Sequence, residues 1–189
     1  MEGLPARSAP GDYQAQAKLD KVTIAADFVA HAVPTMQGPL TSEDYVAVEV
    51  AFFGPADAKP KISFEDFSIK INGKKTATPS QQYGMMMKSL SDPEWVPDEP
   101  VDPGGKSKTG LSTGGGQAGD PKPAPPKMPF PLRRAMEQKA LKSVLPEGER
   151  PLPVAGLVFF PYRGKDSGIH NVELIYNGAA GKATLTFTR

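Results

Sequence analysis

Apolar residues recur at every second position along much of this chain, which is the spacing of strands with one buried row. Val22, Ile24, Ala26, Phe28 and Ala30 form the first such row, with Lys21, Thr23 and Asp27 on the opposite one. Pro34 and Gly38 end that segment. Asp44–Phe53 predicts a second strand, with Val46, Val48, Val50 and Phe52 on one row and Tyr45, Ala47, Glu49 and Ala51 on the other. Valine at alternate sites favours a pleated surface. Gly54-Pro55 stops it.

Further along, Ile62 and Phe64 share one parity and Phe67, Ile69 and Ile71 the other, with the switch at Glu65-Asp66. A one-residue bulge there would keep both sets on the core face. Asn72-Gly73 is a hairpin signal, because both central residues of such a turn need positive φ. Lys74–Thr78 is then the expected return strand. Gln81–Leu90 carries alternating Tyr83, Met85 and Met87 and is read as a short strand or loop, although a helical turn also suits it.

Helical spacing enters at Pro131–Val144. Leu132, Ala135, Met136, Ala140, Leu141 and Val144 recur at intervals of three and four and predict an apolar stripe. Pro131 suits the first helical turn, where its missing N–H goes unused. Arg133, Arg134, Lys139 and Lys142 are expected on the outer face. Leu152–Tyr162 is apolar on both rows, so a central strand covered on both faces is expected. Val172, Leu174 and Tyr176 are expected to pair with Ala183, Leu185 and Phe187 across the turn Asn177–Gly181, leaving Thr184, Thr186 and Thr188 in solvent.

Strands punctuated by turn signals, with a single helix, predict a mainly β fold: an immunoglobulin-like two-sheet sandwich rather than a parallel α/β sheet. Residues 1–16 are weakly patterned and are expected as a flexible tail. Residues 17–189 are expected as a single domain, interrupted by an insert over 97–131 and the helix over 131–144. The insert holds nine prolines and seven glycines in 35 residues. A compact domain seldom holds a structureless loop of that length, so a linker, a disordered arm or a functional surface loop is expected.

The strand order DYVAVEVAFFG, ISFEDFSIKINGKK, LPEGERPLPVAGLVFFPY and VELIYNG resembles that of the telokin-like, immunoglobulin-like domains of bacterial envelope proteins. Tyr45–Gly54, Ile62–Lys75 and Leu145–Tyr176 carry the resemblance. It implies a sandwich outside the cytoplasm, often placed after a lipoprotein or signal sequence, in a family whose functions are mostly unassigned. The matched positions are core and turn residues, so no functional residue is implied. The insert and the helix depart from the family's pattern.

Composition changes this picture mainly by exclusion. With 22 basic and 21 acidic residues the net charge is +1, so the basic excess of a nucleic-acid footprint is missing and no nucleic-acid partner is expected. Without cysteine, disulfides, thiolate catalysis and cysteine-ligated metals are excluded. No run of 18 apolar residues exists, so no membrane-spanning helix is expected. The first residues carry no signal-type hydrophobic segment. An extracytoplasmic location is expected if a leader has been removed, and a cytoplasmic one otherwise.

Candidate chemistry is sparse. Gly105-Lys106-Ser107 resembles the end of a phosphate-binding loop, but Pro100 stands where that loop needs glycine. Asp92, Glu94, Asp98, Glu99 and Asp102 match no calcium-loop spacing and read as a solvated acidic stretch. Met85 and Met87 with His31 and His170 are the one set suited to a soft metal such as Cu(I); the competing reading has alternate methionines filling a core gap around an exposed Met86. No cofactor is expected. Either histidine could serve a nearby serine, but no catalytic motif rises above background, so no enzyme is expected. Trp95, the single tryptophan, is either a contact anchor or a clamp holding the insert to the domain. Together with Arg133 and Arg134 it is the expected binding surface for a protein partner. The function expected from these features is a non-enzymatic interaction or assembly module, with copper or small-molecule binding as the alternative.

Overall fold

The computed structural model describes residues 2–97 and 126–188. The bulk of the 97–131 insert therefore lies outside the described residues. Strands β1 (Ala15–Leu19), β2 (Val22–Ala30), β3 (Ala32–Val33), β4 (Leu40–Ser42) and β5 (Tyr45–Phe53) come first. Next are β6 (Lys61–Ile62), β7 (Phe67–Ile71), β8 (Thr78–Pro79), the short helix α1 (Tyr83–Met86) and β9 (Leu90–Ser91). Helix α2 (Phe130–Ser143) then precedes β10 (Gly148–Glu149), β11 (Val154–Pro161), β12 (Asn171–Gly178) and β13 (Gly181–Thr188). The fold is mainly β, with several antiparallel sheets, as the alternation predicts.

Two four-stranded sheets dominate, ordered β1-β2-β5-β11 and β13-β12-β7-β8. Their facing rows share one core. The predicted rows of β2 and β5 pack there with Phe67, Ile69, Leu174, Leu185 and Phe187. At its centre Tyr176 meets Phe52 at 5.5 Å and Phe67 at 5.1 Å between ring centroids, the tilted and edge-on arrangements that aromatic quadrupoles favour. The register of β12 on β13 pairs Val172 with Phe187, Leu174 with Leu185 and Tyr176 with Ala183, and Thr184, Thr186 and Thr188 are exposed. Both expectations hold.

The second face of the β1-β2-β5-β11 sheet is apolar too and must also be covered. Ala47, Leu157 and Phe159 pack beneath Met136, Ala140 and Val144, beside Met86 and the small β3-β4-β9 sheet. Tyr13 covers Ala25, Ala51 and Ala155 farther along. Residues 2–16 are thus docked rather than hanging as the expected tail, and residues 15 and 16 already belong to β1.

Arg7 explains that docking. Asp27 and Glu49 stand directly opposite one another on β2 and β5, two acids on an otherwise apolar surface. The Arg7 guanidinium bonds Asp27 Oδ2 at 2.5 Å and Glu49 Oε2 at 3.3 Å, and lies 4.3 Å from the Tyr13 ring centroid. Asp27 Oδ1 accepts from Gln14 N at 2.6 Å. Burial raises the Glu49 pKa above its ordinary value; Arg7 opposes that rise and the Asp27 charge adds to it. Burial alone would lower the Arg7 pKa, but the Asp27 hydrogen bond and the two acidic charges outweigh it and the net shift is upward.

Several local expectations are corrected. The parity switch at Glu65-Asp66 comes from a 3-10 turn over Phe64–Asp66, started by Ser63 Oγ accepting from Glu65 N, and not from a one-residue bulge. Asn72 and Gly73 do take positive φ, 54° and 70°. The return strand, however, is Thr78–Pro79 rather than Lys74–Thr78, because Asn72 is tied sideways to the loop before β12 through Gly168 O and His170 N. Gln81–Leu90 forms α1 and a 3-10 turn, reaching β9 only at Leu90. β11 is buried on both faces but ends its sheet instead of lying centrally; isolated bridges from Leu4, Val144 and Gln81 cover its outer edge at Ala155, Leu157 and Phe159. Such covering leaves little of that edge for pairing with another chain.

The Leu145 backbone crosses directly over Gly156, where an added Cβ would stand 2.4 Å from Leu145 Cα. Gly156→Ala is therefore expected to destabilise the protein by about 1–3 kcal/mol through overpacking, read by chemical denaturation. A second test concerns pH. A raised carboxyl pKa means the folded state binds the proton more tightly than the unfolded chain, so ionised Glu49 opposes folding at neutral pH and this cost fades as the pH falls through its folded pKa. Glu49→Gln should thus be most favourable, relative to the unaltered protein, at pH 7 and lose that advantage on acidification. Asp27→Asn, which leaves one neutral accepting oxygen for the two donors Arg7 and Gln14 N, should cost about 1.5–3 kcal/mol at pH 7.

Candidate functional site

Helix α2 buries only half of its expected stripe. Met136, Ala140 and Ser143 are buried and Val144 follows them, but Leu132 and Ala135 in the first turns are exposed. The reason lies in where α2 meets the sheet: its second half lies on Leu157 and Phe159, whereas its first half projects beyond them. Phe130 and Leu132 are left 73% and 50% exposed, and Val96, at the other end of the insert, 79%.

Between α2 and the segment after β9 runs a groove made of two hollows of about 160 and 150 Å³. Asp92, Trp95, Met128 and Met136 belong to both hollows. The turn that presents Trp95 is local: Asp92 Oδ1 accepts from Glu94 N at 2.9 Å and Asp92 O accepts from Trp95 N at 3.2 Å. An aspartate that binds its own backbone two residues on is a standard way to fix such a turn. Trp95 is half-buried and so both lines the groove and presents a face to solvent.

The two walls differ in charge. Asp92 and Glu94 stand on the Trp95 side, and Arg133 and Lys139 on the α2 side. Arg133 Nε pairs with Glu137 one turn later at 3.3 Å, a half-exposed contact of the kind that contributes little stability. Trp95, before residues 98–125, and Met128, after them, both line this groove. Of the expected partner-binding residues, Trp95 and Arg133 therefore come together, and Arg134 lies exposed on the same helix outside the groove walls.

The soft-metal candidates are placed otherwise. Met85 is 49% exposed and Met87 half-buried, and Met86 between them is fully buried against α2 and β11. The competing reading of the sequence, with Met86 exposed, is inverted because the segment is helical and its inward side holds the middle residue. His31 Nδ1 pairs with Asp166 and its Nε2 lies 3.2 Å from Tyr162 O. His170 is exposed beside the same loop and uses its backbone N–H on Asn72. Among the described residues no three of His, Asp and Glu gather to hold a metal. The Gly105-Lys106-Ser107 segment and three of the acidic residues, Asp98, Glu99 and Asp102, lie outside the described residues.

Sequence reasoning missed the groove's second wall, because Met128 reads as part of the insert. A signal existed in Phe130 and Leu132, two apolar residues flanking a proline at a helix start, with no polar partner across the expected stripe. The chain matches no family model, no curated protein and no solved structure.

The floor and the rim of the groove should respond differently to substitution. Met136→Ala removes a core side chain and is expected to cost about 2–5 kcal/mol in chemical denaturation. Phe130→Ser is expected to change stability by less than about 0.5 kcal/mol, as at other exposed sites.

Proposed function

We propose that this protein is a non-enzymatic, extracytoplasmic interaction or assembly module built on an immunoglobulin-like two-sheet sandwich, and that it binds a protein partner through the groove along α2. The observation that carries this reading is the convergence of half-buried Trp95 with exposed Leu132 in one groove that also holds acidic and basic side chains. Tryptophan is enriched at binding hot spots because its indole buries a large area and still offers one hydrogen-bond donor. Arg133, Arg134 and Lys139 add positive charge along the helix, which suits an acidic segment carrying apolar anchors and favours fast, salt-sensitive association. No helix among the described residues is long and apolar enough to cross a membrane, which agrees with a partner met from the aqueous side.

The test places a photo-crosslinking amino acid at Leu132 and, separately, at Thr186 on the exposed face of β13, in the full chain expressed in its native cells. Adducts with one protein are expected from Leu132 alone, and Trp95→Ala should abolish them while the circular dichroism and melting temperature stay unchanged. Equal capture from both positions, or capture that survives Trp95→Ala, would overturn the reading.

A further inference from the structure

A second concave site lies at the outer edge of β11, sharing no wall residue with the Trp95 groove. Its origin is the way that edge is covered. The segment at Gln81 binds Phe159, and the segment at Val144 and Leu145 binds Leu157. Between these two attachments the cover parts, and Leu157, Val158 and Phe159 of β11 form the floor of the gap. The space measures about 230 Å³. An apolar cavity of ~150 Å³ is enough to hold benzene, so one ring with a short arm fits.

The chemistry of the walls selects among such molecules. Phe64 and Tyr83, both only partly buried, supply aromatic surface. Gln81 and Gln82 supply neutral amides, and Glu147 is the one charged side chain, with no Lys, Arg or His among the described wall residues. Glu147 Oε1 accepts from Ser63 Oγ and Phe64 N, both at 3.3 Å, which ties the carboxylate to the segment that carries Phe64. A carboxylate with aromatic faces attracts a cation by charge and by ring quadrupole together, and repels an anion. We propose that this pocket binds a small organic ammonium ion bearing one apolar ring, the ring resting against Phe64 and Tyr83 over the β11 edge and the ammonium group lying beside Glu147.

This inference is independent of the partner groove and is tested without it. Phenethylammonium is titrated into the full-length, isotope-labelled protein and amide shifts are followed by NMR, with phenylacetate as a probe of the same ring and opposite charge and ethylammonium as the charge without the ring. Saturable shifts are expected at residues 64, 81–83 and 144–147 with phenethylammonium. Phenylacetate and ethylammonium should bind at least about tenfold more weakly. Glu147→Gln, an exposed substitution that retains an accepting oxygen for Ser63 and Phe64, should weaken phenethylammonium about fivefold, in keeping with a solvent-accessible ion pair. Shifts elsewhere or none at all, equal binding of phenylacetate, or an unchanged affinity in Glu147→Gln would each overturn the proposal.

Discussion

The β1-β2-β5-β11 sheet is apolar on both faces, and nearly every other element is where it is because both faces have to leave water. Val48 and Phe52 of β5 point to one side, Ala47 and Ala51 to the other, and all four are buried. Fully burying one large apolar side chain is worth about 1.5–3 kcal/mol, so neither face can be left open. The β13-β12-β7-β8 sheet covers one face. The other is covered piecemeal by residues 2–13, by α2, by α1 and by the small β3-β4-β9 sheet. The acids on this second face, Asp27 and Glu49, show what such a surface demands of charge: Arg7 is drawn onto them, and with it the whole N-terminal segment.

A cover assembled from separate segments has seams, and the Trp95 groove and the pocket on β11 are found at them. The Trp95 groove opens where α2 runs past the sheet it covers, leaving the first helical turns without an inner partner. The pocket on β11 opens where the Gln81 segment gives way to the Leu145 segment along one strand edge. Between the two large sheets, by contrast, the facing rows meet in a packed aromatic centre. Function is thus sought in the pieces that complete the core and not in the strands that make it.

Strand identity and register were legible in the sequence because they depend on neighbours in the chain. Alternation assigns Val22, Ile24, Ala26 and Phe28 to a buried row whatever packs on them. The Val172–Phe187 register follows from a short turn, and Asn72-Gly73 dictates positive φ through its own sterics. The candidate site was legible only in part. Trp95 and Arg133 stood out by residue type, but their meeting across Met128 joins two segments separated by more than thirty positions, and no local pattern encodes that closure.

Tertiary structure decided the rest, for a common physical reason: each case turns on which distant surface competes for a residue. Arg7 looks like part of a polar tail until a buried pair of acids, on strands far along the chain, offers it charged hydrogen bonds. Met86 looks like the exposed member of a methionine triplet until a helical turn points it beneath α2. β11 reads as central because both its rows are apolar, yet it ends its sheet, since single-residue bridges and a helix bury an edge strand as fully as neighbouring strands would. The sequence by itself determined which residues must leave water. Only the folded chain determined what covers them, because burial is set by an apolar face as a whole and any segment able to reach that face can supply the cover.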